Sequence, residues 1–270
     1  MSDLIARPAE PEYAFGDLGD AVRDQAASRS AAYDPFTTER LAATGLGAGW
    51  HCLEVGAGEG EIARWLAERV APGGRVLATD LFPERVPAHP NLRTERHDVG
   101  HDPLPEAAFD LIHARLVLQH VPNRRAALGR LLTALRPGGW LQIDEFDVSY
   151  GPVLTAPDEA SARLYEDFLA AKNRAFERAG GRPVWGRECA AELHAAGFTA
   201  IDPQPRIVLW SAGHPGLELL VSHTRTLRER LLAEGLTDAQ LAGVRAVMRH
   251  PGFRAASCVH YSVQARRPAR

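Results

Sequence analysis

Apolar positions in this chain follow two alternating rhythms. Trp50-His-Cys-Leu-Glu-Val is a short apolar run stopped by Gly56, and Ile62 to Val70 then carries apolar residues at helical spacing up to Pro72-Gly73-Gly74. Arg75-Val-Leu-Ala-Thr-Asp reads as a second strand, 92–97 as a weaker third and 109–114 as a fourth. Residues 124–135 form a helix with a leucine stripe, halted by Pro137-Gly138-Gly139, and 140–146 is a fifth strand. Strands that alternate with helices predict βαβ units, a parallel sheet covered on both faces, and right-handed crossovers. Such a doubly wound α/β sheet takes its ligand outside the carboxyl ends of the strands, where the strand order switches.

The flanking sequence is different. Residues 13–46 read as N-terminal helices, with Pro35 in the first turn of a second one. After Gly151 the rhythm breaks. Helices are predicted over 157–179, 187–196, 215–234 and 237–249, with a proline-bearing strand over 198–209 and a closing strand over about 255–266. One domain over 1–270 is expected, divided into a cofactor-binding half (47–150), a helical cap inserted after strand five (151–250) and the closing strand.

Composition narrows the function classes. Of 270 residues, 45% are apolar and 24% charged, the proportions of a globular protein. A net charge of −3 argues against a large nucleic-acid footprint. No stretch approaches the length of a membrane span. The start of the chain is polar with two prolines, unlike a signal peptide. Cys52, Cys189 and Cys258 are far apart and read as buried free thiols of a cytoplasmic protein, not metal ligands. Lys172 is the sole lysine among 31 basic residues, read as the codon bias of a GC-rich genome.

Candidate chemistry gathers at the strand ends. Leu53-Glu54-Val55-Gly56-Ala57-Gly58-Glu59-Gly60 joins a strand to a helix. Its glycines permit a sharp turn and a close ligand approach. The spacing is G-x-G-x-G, where a diphosphate loop has G-x-G-x-x-G. Glu54 would repel a diphosphate but suits an ammonium. Asp80, ending the next strand, can accept both hydroxyls of a ribose. Asp98 and Val99 follow the third strand, where a carboxylate and an amide can read an adenine edge.

With these residues in place, the chain resembles the class I S-adenosylmethionine-dependent methyltransferases, of the small-molecule type. The resemblance lies in the Leu53–Gly60 motif, in Phe109-Asp-Leu-Ile-His-Ala-Arg-Leu-Val-Leu-Gln-His-Val-Pro and in Leu135-Arg-Pro-Gly-Gly-Trp-Leu, and it covers about residues 13–147. Tyr13-Ala-Phe-Gly and Arg23-Asp-Gln25 look like the cofactor-covering start of such enzymes. The resemblance implies a Rossmann-like seven-stranded sheet whose last strand is antiparallel, with S-adenosylmethionine as cofactor. It implies that Glu54 and Gly56 hold the methionine part, with room for the cofactor at Gly58. Asp80 would bind the ribose, Leu81 would lie against adenine, and Asp98 and Val99 would read its edge. Arg115 would line the pocket, and Arg23 with Gln25 would close over the methionine carboxylate.

Methyl transfer depends mostly on positioning. Where an acceptor must lose a proton, His120, Glu145, Asp147 and His223 are the candidate bases, none singled out. No Asn/Asp-Pro-Pro-aromatic run or Pro-Cys nucleophile points to nucleic-acid bases, and no metal site is expected. The reading is a cytoplasmic enzyme, monomer or homodimer, that methylates a small molecule such as a secondary metabolite or quinone-like compound, with no nucleic-acid or membrane partner. The rivals are an NAD(P)-linked oxidoreductase and a non-catalytic cofactor-binding scaffold of the same fold.

Overall fold

The computed structural model describes residues 20–270, with side chains from Gln25 onward. Helix α1 (Asp20–Ala43) precedes strand β1 (His51–Val55), α2 (Glu61–Arg69), β2 (Arg75–Asp80), β3 (Leu92–Arg96), β4 (Phe109–Arg115), α3 (Arg124–Ala134) and β5 (Leu135–Asp147). Then come β6 (Val153–Thr155), α4 (Glu159–Arg178), α5 (Trp185–Ala195), β7 (Thr199–Arg206) and β8 (Leu209–Ser211). Helices α6 (Pro215–Thr226), α7 (Arg228–Ala233) and α8 (Asp238–Arg249) lead to β9 (Arg254–Ala256) and β10 (Val259–Arg266). No described helix is long and apolar enough to cross a membrane.

Seven strands form one sheet in the order β3-β2-β1-β4-β5-β10-β7. The pairs from β3 to β5 are parallel, while β10 runs antiparallel to both β5 and β7. The resemblance implied this sheet with its last strand antiparallel. Pro203 and Pro205 are tolerated because β7 is an edge strand, where a missing N–H leaves no ladder partner wanting. The other edge, β3, is largely exposed and carries Arg93, Glu95 and Arg96, charges that discourage edge-to-edge pairing.

The structure revises three expectations. The N-terminal helices are one helix, with Pro35 inside it. An interior proline costs roughly 3 kcal/mol in an isolated helix, but α1 is gripped along its length: it packs on α6, and Tyr33 lies 4.8 Å from the Phe146 ring. The cap is in two pieces, because α5 and β7 belong to the main sheet. Trp185, Cys189 and Leu193 of α5 share the apolar core formed by Leu53, Ile112, Ile143 and Val263. A second apolar core joins α4 with α6, α7 and α8, and a three-stranded sheet β6-β9-β8 braces it. That small sheet was not expected, and the closing strand is split into β9 and β10. Its strands are only three residues long, too short for a period to show.

One face of the main sheet is polar where it meets α1. Glu54, His113, Gln142, Asp144, Ser262 and Gln264 are all buried there. Glu54 sits opposite His113 in the β1–β4 register, and His113 opposite Gln142 in β4–β5. His113 Nδ1 lies 2.7 Å from Glu54 Oε2, and its Nε2 lies 3.2 Å from Asp144 Oδ2. Both ring nitrogens therefore face carboxylate oxygens, which a doubly protonated imidazole satisfies by donating twice. Burial pushes His113 down, but the Glu54 charge and the two hydrogen bonds outweigh it and carry the group up to about 9. Asp144 is opposed by burial but held well below the usual range by the His113 hydrogen bond. Glu54 is raised by burial, which His113 only partly offsets. The two partners thus differ in direction; the geometry favours the charged imidazole, since it serves two acids. Gln142 Nε2 extends the row to the Thr37 carbonyl at 3.1 Å, and Gln264 Nε2 to the Arg40 carbonyl at 2.5 Å.

A group raised in the folded state stabilises fully below its unfolded value of about 6.5 and loses that contribution through its folded value. Stability should accordingly fall between about pH 6.5 and 9 as His113 deprotonates. His113→Gln, which removes a charge between two buried acids, should cost about 3–5 kcal/mol and flatten that alkaline slope. Denaturant unfolding across this range is the check; an unchanged slope in the variant would show that the triad does not titrate.

Candidate functional site

The order of the sheet switches at β1, which pairs with β2 on one side and β4 on the other. The loops after β1 and β4 therefore flank the crevice where such sheets take ligands. In the first loop Gly56 has φ +65°, and a Cβ there would lie 2.2 Å from Val117 Cγ2. Only glycine lets the two loops approach this closely. A Cβ at Gly58 (φ +58°) would meet nothing nearer than Arg29 Nη2 at 3.4 Å, so this residue faces the crevice with a guanidinium beside it. Across the crevice Leu116 has φ +56°, uncommon for a branched residue, and its amide donates to the Asp144 carbonyl at 2.9 Å.

Asp80 ends β2 against this loop. Its Oδ2 accepts from the Gly58 amide at 2.9 Å and its Oδ1 from the Phe82 amide at 2.9 Å. An ionised carboxylate has about four acceptor sites, so two such bonds leave capacity for a ligand's hydroxyls. Leu81 follows, half-buried. Asp98 is more occupied: Oδ1 takes the Gly100 amide at 2.8 Å and Oδ2 lies 2.9 Å from His101 Nδ1. Burial opposes its ionisation, yet the His101 and Gly100 bonds hold Asp98 below the usual carboxylate range. The Val99 side chain is buried in the core, and its carbonyl accepts from Arg130 at 2.7 Å.

Several expected residues have other work. Glu54 is only 3% exposed and bonded to His113, so it is not a free acid at the loop. Arg115 ties β4 to α1, its Nη1 donating to Asp34 Oδ1 at 2.6 Å, and does not stand open in the pocket. Glu145 Oε1 accepts from the amides of Val117, Leu118 and Gln119 at 3.1, 2.8 and 3.3 Å, clamping the loop after β4. Burial pushes Glu145 up to about 8, despite those bonds. Asp147 Oδ1 caps Ser149, and its Oδ2 lies 3.4 Å from Arg187. His120 packs edge-on to Phe176 at 5.0 Å and is pushed down to about 4, by burial and then by Arg124. Arg23, as a side chain, and Tyr13 to Gly16 lie outside the described residues.

Gln25 and His223, expected in separate roles, meet. Their Nε2 atoms are 3.0 Å apart and join α1 to the cap helix α6. Burial, with the charges of Lys172 and Arg29, pushes His223 down to about 3. Neither His120 nor His223 is therefore basic enough to hold a proton at neutral pH. Four residues not expected at the site act on one another's charge here: Arg29 of α1 and Lys172 of α4 on His223, and Lys172 with Tyr33 of α1 on Cys258, which lies between β9 and β10. The sole lysine in an arginine-rich chain was the signal, read as genome composition. Cys258 is half-exposed where burial was expected, and its thiol is nonetheless pushed up to about 12, chiefly by desolvation. Among the described residues no group of three or more His, Cys, Asp and Glu is placed to hold a metal.

Comparison with known proteins agrees with this geometry. The chain is 34% identical over 165 residues to methyltransferase str2 of Strobilurus tenacellus, a match that covers 60% of this chain and 58% of that one. It is 30% identical over 181 residues to trans-aconitate 2-methyltransferase of Deinococcus radiodurans, covering 64% and 67%. A crystal structure from Bacillus halodurans C-125 shares the fold with a TM-score of 0.57 at 16% identity, covering 91% of this chain and 99% of that one. A methyltransferase-domain family model matches residues 26–202, a span that runs from α1 through the glycine loop into β7. The chain belongs to the methyltransferase-domain family.

Proposed function

We propose that this protein is an S-adenosylmethionine-dependent methyltransferase that acts on a small molecule held between the glycine loop and the cap. The observation that carries the reading is Asp80, bonded to the Gly58 amide at the strand-order switch, with Arg29 beside the same glycine. The cofactor fits these residues: a ribose offers hydroxyl donors to Asp80, and a methionine carboxylate suits the Arg29 guanidinium. Gln25 lies near the same roof, and Leu81 offers an apolar side to adenine. The glycine spacing disfavours the diphosphate of a nicotinamide dinucleotide.

When bound, the cofactor supplies an electrophilic methyl group on a sulfonium. The chain's own residues orient and exclude water. Asp80 would hold the ribose and Arg29 the methionine carboxylate, with α1 and Gln25 covering them. The cap presents an acceptor's nucleophilic atom in line, and positioning of this kind supplies much of an acceleration. With His120 and His223 neutral and weakly basic, the acceptor in this reading arrives already ionised or needs no proton removed. The net charge of −3 and the cap favour a metabolite over a nucleic acid. A secondary-metabolite or quinone-like acceptor follows by family analogy. The trans-aconitate enzyme among the relatives is consistent with an acidic one.

S-adenosylhomocysteine at 100 times its Kd should add about 2.7 kcal/mol to stability, seen as a rise in Tm, while NADH should leave Tm unchanged. A rise with NADH alone would reverse the assignment. Asp80→Ala should weaken S-adenosylhomocysteine binding by about 2–4 kcal/mol and Arg29→Met by about 1.5–3 kcal/mol, from lost charge-assisted bonds. Asp98→Ala, whose oxygens serve its own turn, should cost less, about 1–2 kcal/mol. Isothermal titration gives the order; equal, near-zero losses at Asp80 and Arg29 would place the cofactor elsewhere.

A further inference from the structure

The inner face of α4 is apolar, with Tyr165, Phe168, Ala171 and Ala175 buried, yet Lys172 lies among them. Tyr165 and Lys172 are two helical turns apart and so share a face. Lys172 is half-buried, and no ion pair is formed by it among the described residues. The other basic residues of α4 do pair: Arg163 with Glu159, and Arg174 and Arg178 with Glu234. Beside Lys172 lie Cys258, whose thiol is close enough to feel its charge, and His223. The Tyr33 hydroxyl lies close enough to the Cys258 thiol for each to shift the other. The Tyr165 hydroxyl, near Cys258, is buried with no hydrogen-bond partner among the described residues, and its residue is fully buried. An orphaned buried hydroxyl costs on the order of 1–3 kcal/mol, so it marks a place where a polar ligand atom belongs.

The charges around this cluster favour an anion. Burial depresses the Lys172 ammonium, the cost of a cation drawn from water without a counter-charge. The Cys258 thiol and the two tyrosines are neutral, since burial raises all three. His223 is neutral as well, and Asp147, the acid whose charge is felt at Cys258, accepts from Ser149 and lies 3.4 Å from Arg187. On the cofactor side, His223 feels Lys172 and Arg29 together, and Arg29 stands at Gly58.

We infer that Lys172 and the Tyr165 hydroxyl form an acceptor subsite for an anionic oxygen, a carboxylate or an ionised phenol. The inference rests on the methyltransferase reading for the word acceptor, but the anion site itself stands on the cap alone. It also fits the neutral histidines: an acceptor that brings its own negative charge needs no base from the protein.

Because Lys172 is the sole lysine, full-length protein made with [6-13C]lysine gives a single side-chain signal. The probes are benzoate, 4-nitrophenolate and the neutral isostere benzamide, each titrated with and without saturating S-adenosylhomocysteine. Expected is a shift of that signal, with its titration midpoint moved up by about one pH unit, with benzoate or 4-nitrophenolate and none with benzamide. Which of the two anions acts separates carboxylate from phenol. Lys172→Met should bind the anion at least tenfold more weakly, Lys172→Arg should recover part of the affinity, and both should keep S-adenosylhomocysteine affinity within twofold. No response to either anion, an equal response to benzamide, or undiminished anion binding by Lys172→Met would overturn the subsite. Failure of S-adenosylhomocysteine to bind would instead overturn the methyltransferase reading, while the titrations without it still decide the anion site.

Discussion

A helix laid across a sheet normally buries an apolar stripe. In this protein α1 instead lies over a row of buried polar side chains that runs across four strands: Glu54, His113, Asp144 with Gln142, and Gln264. Such a row is stable only when each member is bonded, because an unpaired polar group in the interior costs more than a bond returns. The imidazole of His113 divides itself between two acids, and the two glutamines carry the row to carbonyls of α1. The helix is thereby fixed in position along the sheet, where an apolar contact would tolerate sliding.

The site inherits that position. Helix α1 supplies Arg29 beside Gly58, Asp34 to Arg115 at the end of β4, and Gln25 to His223 of the cap. One helix thus joins the glycine loop, the strand-order switch and the cap. Glu145 does the matching work from below, three amides of the β4 loop converging on one oxygen. Glu54 and Asp98 are engaged by the protein itself, while Asp80 keeps acceptor capacity beyond its two amide bonds. On the cap side the pattern is reversed: among the described residues Lys172 forms no ion pair and the Tyr165 hydroxyl no hydrogen bond.

Local pattern showed the parallel half of the sheet, the glycine loop and Asp80, because strand ends, turns and their residues are set by neighbours in the chain. It did not show what depends on distant pairing. Glu54 and His113 are 59 residues apart, and nothing in Leu53-Glu-Val-Gly reveals that the acid faces an imidazole on the strand paired beside it. The same holds for Arg115 with Asp34, 81 residues apart, and for Gln25 with His223, 198 apart. Pro35 was read as a helix start because its local cost was visible and the contacts that outweigh it were not. Lys172 was visible as an oddity of composition, but its meaning lies in which face of α4 it occupies.

The dependence of the site on the polar row is tested most directly by amide hydrogen exchange along residues 25–43 in the wild type and in Gln142→Leu, which removes the bond to the Thr37 carbonyl without deleting a charge. If the row holds α1, those amides exchange at least tenfold faster in the variant, the amides of β1 and β4 keep their protection, and S-adenosylhomocysteine restores α1 toward wild-type rates. Unchanged protection of α1 in the variant would contradict the account and show that the helix is held over the site without the row's bond to Thr37.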